Sequence, residues 1–460
     1  MTPTQRRLMV LDIVGLTPAM IGPHTPHLAA LARDGFMAPL DGIFPAVTTS
    51  AQASMLTGLA PAQHGIVGNG WYFRDLAEVW FWRQSNRLVH GEKVWETLRR
   101  DHPGFRCAKL FWWYNMYSSA DWSVTPRPIY PADGRKIPGL YSHPMRLHQE
   151  MEQALGPFPF FHFWGPKADI ASSRWIADAA LWQFRRAPAE LTLVYLPHLD
   201  YNLQRLGPDD PAINADITTI DAVAGKLIDG VRAAGADVLV VSEYGIEPVS
   251  GCVHINRLLR EAGYLAVRET LGWELLDAGA SRAFAVADHQ VAHVYIDDPK
   301  DREPVRRLLA SAAGIERVLG PEDKAELGID HARSGELIAV AEPDHWLSYY
   351  YWLDDAKAPD FARTVDIHRK PGYDPVELFV DPALRIPQLK VALRLAQKRL
   401  GCRMLMDVIP LDPTLVKGSH GRLPRRTEHG PVVIGSDAGL AAERYAMTDI
   451  HDLMLRHFRH

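Results

Sequence analysis

The sequence predicts an α/β fold in which a mainly parallel sheet carries helices on both faces. Short, nearly continuous apolar runs are typical of strands buried on both sides, and amphipathic helical patterns separate them along the chain. Alternation of strand and helix favours parallel pairing, because a crossover helix returns the chain to the same edge of the sheet. With 460 residues, of which 47% are apolar, the chain is long enough for a large core and one or two domains.

The predicted elements of this core follow one another through the first 250 residues. Residues 7–12, 191–196 and 237–242 form the three apolar runs, and each is predicted to be a buried strand. The predicted helices are residues 25–35, 50–56, 173–186 and 215–234.

Two segments depart from this pattern. Residues 105–165 are rich in aromatic residues, Pro and Gly, which indicates an irregular aromatic cap rather than core sheet. Residues 255–400 contain strand-like pieces at 291–296 and 336–341, which predict a smaller inserted α+β lobe. A strand pattern returns at 404–409. We therefore expect a core domain made of residues 1–250 and 405–460, with the cap inside it and residues 255–400 inserted.

Charge and composition narrow the class of partner. The net charge is −5 and no basic face is evident, so a nucleic acid polymer or an anionic membrane is not the expected partner. We expect no secretory signal before the first strand, and no apolar run approaches the roughly 20 residues that span a bilayer. The three cysteines are far apart and are predicted to be free thiols in a reducing cytoplasm. The sequence does not predict the oligomeric state.

Carboxylates are placed where predicted strands end. Asp12, Asp200 and Glu243 each fall at or just after such an end. Because the carboxyl ends of parallel strands meet at one edge of a sheet, we expect these side chains to lie close together. Three carboxylates so placed would repel one another without a cation, which favours a metal site. The alternative for each is a helix cap or a loop position.

Thr48 is the candidate nucleophile, in the stretch from Phe44 to Ser50. A protonated hydroxyl attacks poorly, but metal coordination lowers its pKa and makes it reactive. The predicted helix begins just after Thr48, so its N-terminus would face a bound phosphate. The alternative is that Thr48 is a helix N-cap, as is expected of Thr49 and Ser50.

These motifs together resemble the alkaline phosphatase superfamily, and most of all its nucleotide pyrophosphatase/phosphodiesterase branch. The likeness covers the core from residue 8 to about residue 250 and returns near the C-terminus. The motifs that carry it are Asp12 with Thr25-Pro26-His27-Leu28, Phe44-Pro45 through Thr57-Gly58, His64-Gly65-Ile66-Val67-Gly68-Asn69, Asp200 with Gly207-Pro208, Ser242 to Gly245, and Gly418-Ser419-His420-Gly421.

The resemblance implies two close metal ions, commonly zinc, bridged by the Thr hydroxyl. An Asp, a His four residues later and a C-terminal His hold one ion, and the first-strand Asp with an Asp-His pair holds the other. The positions that match in this chain are Asp12, Thr48, Asn69, Asp200 and His420, with Asn69 expected to bind a phosphoryl oxygen.

Three ligand positions and one stacking position differ from that pattern. Gln204 stands where a His is expected, Glu243-Tyr244 replaces the Asp-His pair, and Thr49 replaces an aromatic residue that stacks on a nucleobase. Oxygen-rich ligands suit manganese, magnesium, calcium or iron, and a phenolate suits ferric iron. We expect two divalent or mixed-valence ions, zinc by resemblance and manganese or iron from the changed ligands. Alternatively Tyr244 does not ligate, and one site or none survives.

Further residues are candidates for contact with substrate. His198 would share a face with Asp200 if the strand continued, although a polar residue without metal is the alternative. Trp71 and Tyr72 are expected to form an apolar wall around the leaving group of the substrate, or to belong to the core of the cap. Arg369, in the charged stretch 366–374, is expected to hold a second phosphate or to lie in a solvated turn.

The function predicted from the sequence is metal-dependent hydrolysis of a small phosphate ester through a covalent Thr48 intermediate. A phosphodiester is the expected substrate by resemblance, whereas loss of the stacking aromatic leaves a phosphomonoester or phosphonate open. Two further alternatives are phosphoryl transfer in a biosynthetic pathway and a binding protein with a degenerate metal site.

Overall fold

A computed structural model describes residues 6–132 and 135–459. Residues 1–5 and 460 of the predicted core domain, and residues 133–134 of the predicted cap, lie outside the described residues. The strands are β1 (Leu8–Ile13), β2 (Phe36–Asp41), β3 (Gly70–Phe73), β4 (Glu78–Phe81), β5 (Cys107–Leu110), β6 (Trp122–Pro126), β7 (Leu140–His143), β8 (Leu191–Leu196), β9 (Asp237–Val241), β10 (Glu247–Pro248), β11 (Gly251–Val253), β12 (Val267–Thr270), β13 (Trp273–Leu276), β14 (Ala283–Asp288), β15 (Val291–Ile296), β16 (Ile315–Leu319), β17 (Leu337–Ala341), β18 (His345–Leu347), β19 (Gly418–Ser419), β20 (Val432–Gly435) and β21 (Tyr445–Ala446). The α-helices are α1 (Pro26–Asp34), α2 (Thr48–Thr57), α3 (Pro61–His64), α4 (Val94–Asp101), α5 (Leu147–Leu155), α6 (Ile170–Arg186), α7 (His198–Leu206), α8 (Ile213–Arg232), α9 (Ile255–Glu261), α10 (Arg302–Ala310), α11 (Pro321–Glu326), α12 (Pro387–Arg399) and α13 (Asp449–Arg459).

The main sheet has nine strands in the order β21-β2-β20-β9-β1-β8-β5-β6-β7. The central pairs β9-β1, β1-β8, β8-β5 and β5-β6 are all parallel. Antiparallel pairs join β6 to β7, β9 to β20 and β20 to β2 nearer the two edges. The predicted mainly parallel sheet is confirmed, as are the three predicted core strands at its centre.

Helices cover both faces of this sheet. Along β1, Met9 and Leu11 pack in the same apolar cluster as α6 and α8 residues, whereas Leu8 and Val10 pack in a second cluster with α2, α4 and α13. Side chains alternate between the faces of a strand, so a strand that is apolar throughout must be covered on both sides.

The prediction that residues 105–165 contribute no core strand is wrong. Strands β5, β6 and β7 all lie in this segment and extend the sheet beyond β8. The strands are only four or five residues long and are embedded in Pro, Gly and aromatic residues, which concealed the apolar alternation.

The predicted strand at 404–409 is also absent. The amide of Ile409 donates to the carbonyl of Arg363, and the carbonyl of Val408 accepts from the amide of Asp381, so these residues bond to separate loops rather than to a ladder. They are apolar because they fill a small cluster with Val249. The chain instead re-enters the main sheet at β20.

The predicted inserted segment contains a second sheet. Four antiparallel strands in the order β14-β15-β17-β16 cover an apolar cluster of their own. The domain boundaries drawn from the sequence stay a prediction. Within the described residues, no helix is both long enough and apolar enough to span a membrane.

Candidate active site

Thr48 begins α2 and is buried at the carboxyl end of the central strands. Its Oγ1 lies 3.1 Å from the hydroxyl oxygen of Tyr244, and that hydroxyl donates to Oδ1 of Asp200 at 3.3 Å. A phenol has one hydrogen, so its donation to the carboxylate leaves Thr48 as the donor in the first bond. The result is a chain of hydrogen bonds from Thr48 through Tyr244 to Asp200.

The residues after Thr48 do not cap the helix, contrary to the prediction. The hydroxyl of Thr49 donates to the carbonyl of Gly68 at 2.7 Å, and that of Ser50 donates to the carbonyl of Ile66 at 2.9 Å. Both bonds fasten α2 to the loop that follows α3, which fixes the position of Thr48.

Asp12 and Glu243 are fully buried and are joined by one amide group. The Nε2 of Gln52 donates to Oδ2 of Asp12 at 3.0 Å and to Oε1 of Glu243 at 2.7 Å. Oε1 of Gln52 accepts from the backbone amide of Trp113 at 2.7 Å, and this contact fixes which end of the amide faces the carboxylates. The other carboxylate oxygens, Oδ1 of Asp12 and Oε2 of Glu243, have no hydrogen-bond partner.

This pair of carboxylates fits a bound cation. Two buried anions that share one nitrogen and each keep an unpartnered oxygen need a positive charge or a proton. Burial, followed by the charge of Glu243, raises the pKa of Asp12 well above its usual value, and burial raises the pKa of Glu243 to about 7. A divalent ion would relieve the cost that causes both shifts.

The second predicted ligand group, Asp200 with Gln204 and His420, does not fit a cation equally well. Nε2 of Gln204 donates to Oδ2 of Asp200 at 2.7 Å, while its Oε1 accepts from the hydroxyl of Tyr373 at 3.0 Å. With Tyr244 on Oδ1, both oxygens of Asp200 already accept a hydrogen. Burial, followed by the charge of Glu243, raises the pKa of Asp200 to about 7.

His420 and His289 are two neighbouring imidazoles beside this group, with ring centroids 3.6 Å apart and ring planes tilted by 36°. His420 donates from Nδ1 to the carbonyl of Ala46 at 2.7 Å, and its Nε2 lies 3.9 Å from Oδ1 of Asp200. Nδ1 of His289 bonds to Asp288 at 2.8 Å. In both rings Nε2 is buried without a partner, so each offers a lone pair.

The site opens into a cavity of about 570 Å³. Thr48, Asp200, Tyr244 and His289 line it, so the predicted nucleophile faces this space. Aromatic rings form much of its walls, namely Trp80, Trp82, Trp113, Tyr130, Phe160, Phe163, Trp164, Tyr195, Tyr201 and Tyr373. The basic residues along it are Arg83, Arg127, Lys136 and Arg369.

Arg369 is the one predicted substrate contact that lines this cavity. Its guanidinium also pairs with Asp360 at 3.2 Å and is half-exposed, so both interpretations drawn from the sequence describe it in part. Asn69 is tied elsewhere: it accepts from the amide of Thr49 and donates to Asp288 from both its backbone and its side chain. It therefore orders the loop behind Thr48.

Trp71, Tyr72 and His198 do not line this cavity, so their contact with substrate stays a prediction. Trp71 is buried and stacks on Phe73, while Tyr72 packs against aromatic rings of the inserted segment. His198 does not share a face with Asp200, because α7 rather than a strand carries both residues. Residues two apart on a helix face different directions, and His198 contacts Asp216 of α8 at 3.3 Å.

Sequence reasoning missed Gln52, Asp288 and His289. Gln52 lies four residues after Thr48, so the two share one face of α2, and that spacing is a usable signal. Asp288 and His289 lie at the end of β14, some 240 residues from Thr48, and no local pattern connects them with the site.

The fold and this arrangement are those of the alkaline phosphatase superfamily. The family model described as type I phosphodiesterase / nucleotide pyrophosphatase matches residues 8–374. The chain belongs to that family.

Similar proteins agree with this assignment. An uncharacterised pyrophosphatase/phosphodiesterase of Schizosaccharomyces pombe is 26% identical over 247 residues, which are 51% of this chain and 42% of that protein. The match thus spans less than half of the relative. Among solved structures, phosphonoacetate hydrolase of Sinorhizobium meliloti with phosphonoformate has a TM-score of 0.63 at 14% identity, covering 99% of this chain and 96% of the other. An inactive Thr-to-Ala variant of murine ectonucleotide pyrophosphatase / phosphodiesterase 5 with AMP has a TM-score of 0.60 at 14% identity, covering 99% and 95%.

Proposed function

We propose that this chain hydrolyses small phosphodiesters or pyrophosphates, with Thr48 as the covalent nucleophile. The observation that carries the proposal is the position of Thr48, at the N-terminus of a ten-residue helix and on the wall of an aromatic cavity. The dipole of a helix N-terminus favours a bound phosphate at this point, although the amide of Thr49 already donates to Asn69. The inactive Thr-to-Ala variant among the structural neighbours supports a threonine in this role.

The hydrogen-bond chain gives the nucleophile a route for its proton. As Thr48 Oγ1 forms its bond to phosphorus, its proton passes to the Tyr244 oxygen, and Tyr244 passes its own proton to Asp200 Oδ1. The ester bond to the leaving group breaks, and the leaving oxygen takes up a proton from water. Water then attacks the phosphorus atom on Thr48 and the bond between this phosphorus and Oγ1 breaks. Thr48 regains its proton from Asp200 through Tyr244, the proton of the attacking water neutralises the hydroxide left by the first step, and a phosphomonoester is released from a diester substrate.

Asp12 and Glu243 would hold the metal ion that the family uses. Bound there, a divalent cation supplies positive charge next to Thr48, which lowers the pKa of the attacking hydroxyl and balances phosphoryl oxygens. Gln52 holds Oδ2 of Asp12 and Oε1 of Glu243 in position by hydrogen bonds. The identity of the ion stays a proposal, with manganese or magnesium favoured by oxygen ligands and zinc by the family.

The charge around Thr48 favours a diester over a monoester. In the described part of the chain, no Lys or Arg pairs with Asp12, Asp200 or Glu243, so their carboxylate charges repel a more negatively charged substrate more strongly. A monoester brings roughly two negative charges at neutral pH and a diester brings one. The aromatic walls can pack against either ester group.

A substrate comparison tests the proposed function. We expect bis(4-nitrophenyl) phosphate to be hydrolysed with a kcat/KM at least about 10-fold above that of 4-nitrophenyl phosphate, since the extra charge must be balanced in the transition state. A preference for the monoester, or cleavage of phosphonoacetate alone, would replace the diester assignment. Tight ligand binding without turnover of any of the three would favour the binding protein.

The role of Tyr244 gives a separate prediction. Tyr244→Phe removes the hydroxyl that links Thr48 to Asp200 and leaves the ring stacked on His420, where the centroids lie 3.6 Å apart. We expect kcat to fall about 100-fold with KM nearly unchanged, because the proton route is lost and the cavity wall is kept. The matched control is Tyr373→Phe, whose hydroxyl contacts Gln204 instead. Equal losses in the two variants would argue against the relay.

A further inference from the structure

The Tyr244 hydroxyl occupies the space between the nucleophile and Asp200. It lies 3.1 Å from Thr48 Oγ1 and 3.3 Å from Asp200 Oδ1. The resemblance places a metal ion between these two groups, held by the Asp and bridged to the Thr hydroxyl. In this chain a neutral phenol joins the same two groups by hydrogen bonds.

The carboxylate and amide groups at this position satisfy one another by hydrogen bonds. The imidazoles of His420 and His289 each keep a buried Nε2 without a partner, so a cation bound there would have to displace the hydrogen bonds of Asp200. Asp200 accepts from Tyr244 on one oxygen and from Gln204 on the other, so it has no oxygen without a partner. Gln204 faces Asp200 with its N–H group and uses its carbonyl on Tyr373. Gln204 and Tyr244, two of the residues that differ from the family's ligands, therefore act here as hydrogen-bond donors to Asp200.

The carboxylates of Asp12 and Glu243 present the opposite situation. Each keeps one buried oxygen without a partner, while the other oxygen of each accepts a hydrogen bond from Gln52. The two groups contact the same Gln52 nitrogen, so they lie close enough to share an ion. An unpaired, fully buried carboxylate oxygen is costly, and a shared cation removes that cost at both residues.

We infer that this chain holds one divalent cation, liganded by Asp12 and Glu243 beside Thr48, and that the Tyr244 hydroxyl takes the place of the second ion. The ligand atoms are all oxygens, which favours magnesium or manganese over zinc. The described residues do contain one group of three carboxylate and imidazole side chains close enough to share an ion, Glu342, Asp344 and His345, but none of them lines this cavity.

Metal stoichiometry tests the inference without any measurement of turnover. The purified chain is incubated with manganese chloride, desalted, and measured by elemental analysis and by electron paramagnetic resonance. We expect about one manganese per chain in the wild type and in Asp200→Asn, and a loss of at least about 10-fold in affinity in Asp12→Asn, because only the last variant removes a ligand. The two variants are matched, since each replaces one buried carboxylate by an amide of the same shape.

The contradicting outcomes are equally distinct. Two equivalents in the wild type, no bound metal, or metal lost in Asp200→Asn and kept in Asp12→Asn would each overturn the inference. Glu243→Gln should repeat the loss and serves if Asp12→Asn does not fold, as judged by circular dichroism. The double change Tyr244→His with Gln204→His should gain a second equivalent when zinc is supplied. An inactive protein that binds one manganese would defeat the proposed hydrolysis and leave the single-ion site standing.

Discussion

Thr48→Ala should lower kcat/KM for an aryl phosphodiester by at least about 10³-fold, because the covalent route disappears with the nucleophile. The side chain is small and its hydrogen bond to Tyr244 is the contact it makes within the cavity, so the fold should survive. Substrate binding should persist in Thr48→Ala. A phosphonate analogue that is hydrolysed slowly should therefore still quench the fluorescence of the cavity tryptophans.

Two variants sharpen this result. Thr48→Ser keeps a hydroxyl and should retain activity within about 10-fold of the wild type. Thr49→Ala removes the neighbouring hydroxyl, which bonds to the carbonyl of Gly68 and not to the cavity, so its effect should fall on stability. Full activity in Thr48→Ala, or an equal loss in Thr49→Ala, would show that Thr48 is not the nucleophile.

Acidification should destabilise the chain through two buried histidines. His64 accepts from the amide of Ile66 on Nδ1 and bonds to Ser54 through Nε2, while His293 bonds to the carbonyl of Val67 and accepts from the amide of Gly335. Each ring therefore needs one nitrogen without a proton. Burial lowers the pKa of His64 to about 3 and that of His293 to about 4.

The sign and size of this effect follow from linkage. An unfolded histidine titrates near pH 6.5, so between pH 6.5 and 4 the unfolded state binds more protons and stability falls as the pH falls. At pH 5 each histidine contributes a loss of about 2 kcal/mol relative to pH 7, or about 4 kcal/mol together.

Urea unfolding at pH 7 and at pH 5 measures this loss in the free energy of unfolding. The double variant His64→Gln with His293→Gln should lose about 4 kcal/mol less between pH 7 and 5 than the wild type does. His102→Gln, at an exposed position, is the control and should not change the pH dependence. The same pH dependence in wild type and double variant would mean that both rings accept a proton without cost.

The centre of the fold was predictable because its signals are local. Residues 191–196 are apolar on both faces, and the structure has β8 over those residues. Strands β5 to β7 were not predictable from the same rule, because they are short and their pairing is set by the strand beside them. The apolar run at 404–409 predicted a strand wrongly, because its residues are buried in a cluster between loops and not in a sheet.

Some residues of the candidate site were likewise predictable from local sequence, and others were not. Thr48, Asp200 and Tyr244 stand in sequence motifs, and the structure joins them by hydrogen bonds. His289 reaches the cavity from the inserted segment, so only the tertiary fold brings it to Thr48. Which carboxylate oxygens lack a partner depends on the direction of the Gln52 amide, and a backbone contact from Trp113 decides that direction.

Trapping the covalent intermediate tests the central proposal most directly. The protein is mixed with bis(4-nitrophenyl) phosphate, quenched in acid within the first turnovers, digested, and examined by mass spectrometry. The proposed mechanism predicts a phosphoryl ester on Thr48, in the peptide that begins α2, and its absence in Thr48→Ala. Rapid release of nitrophenol with an unmodified Thr48, or with the adduct on another side chain, would contradict it.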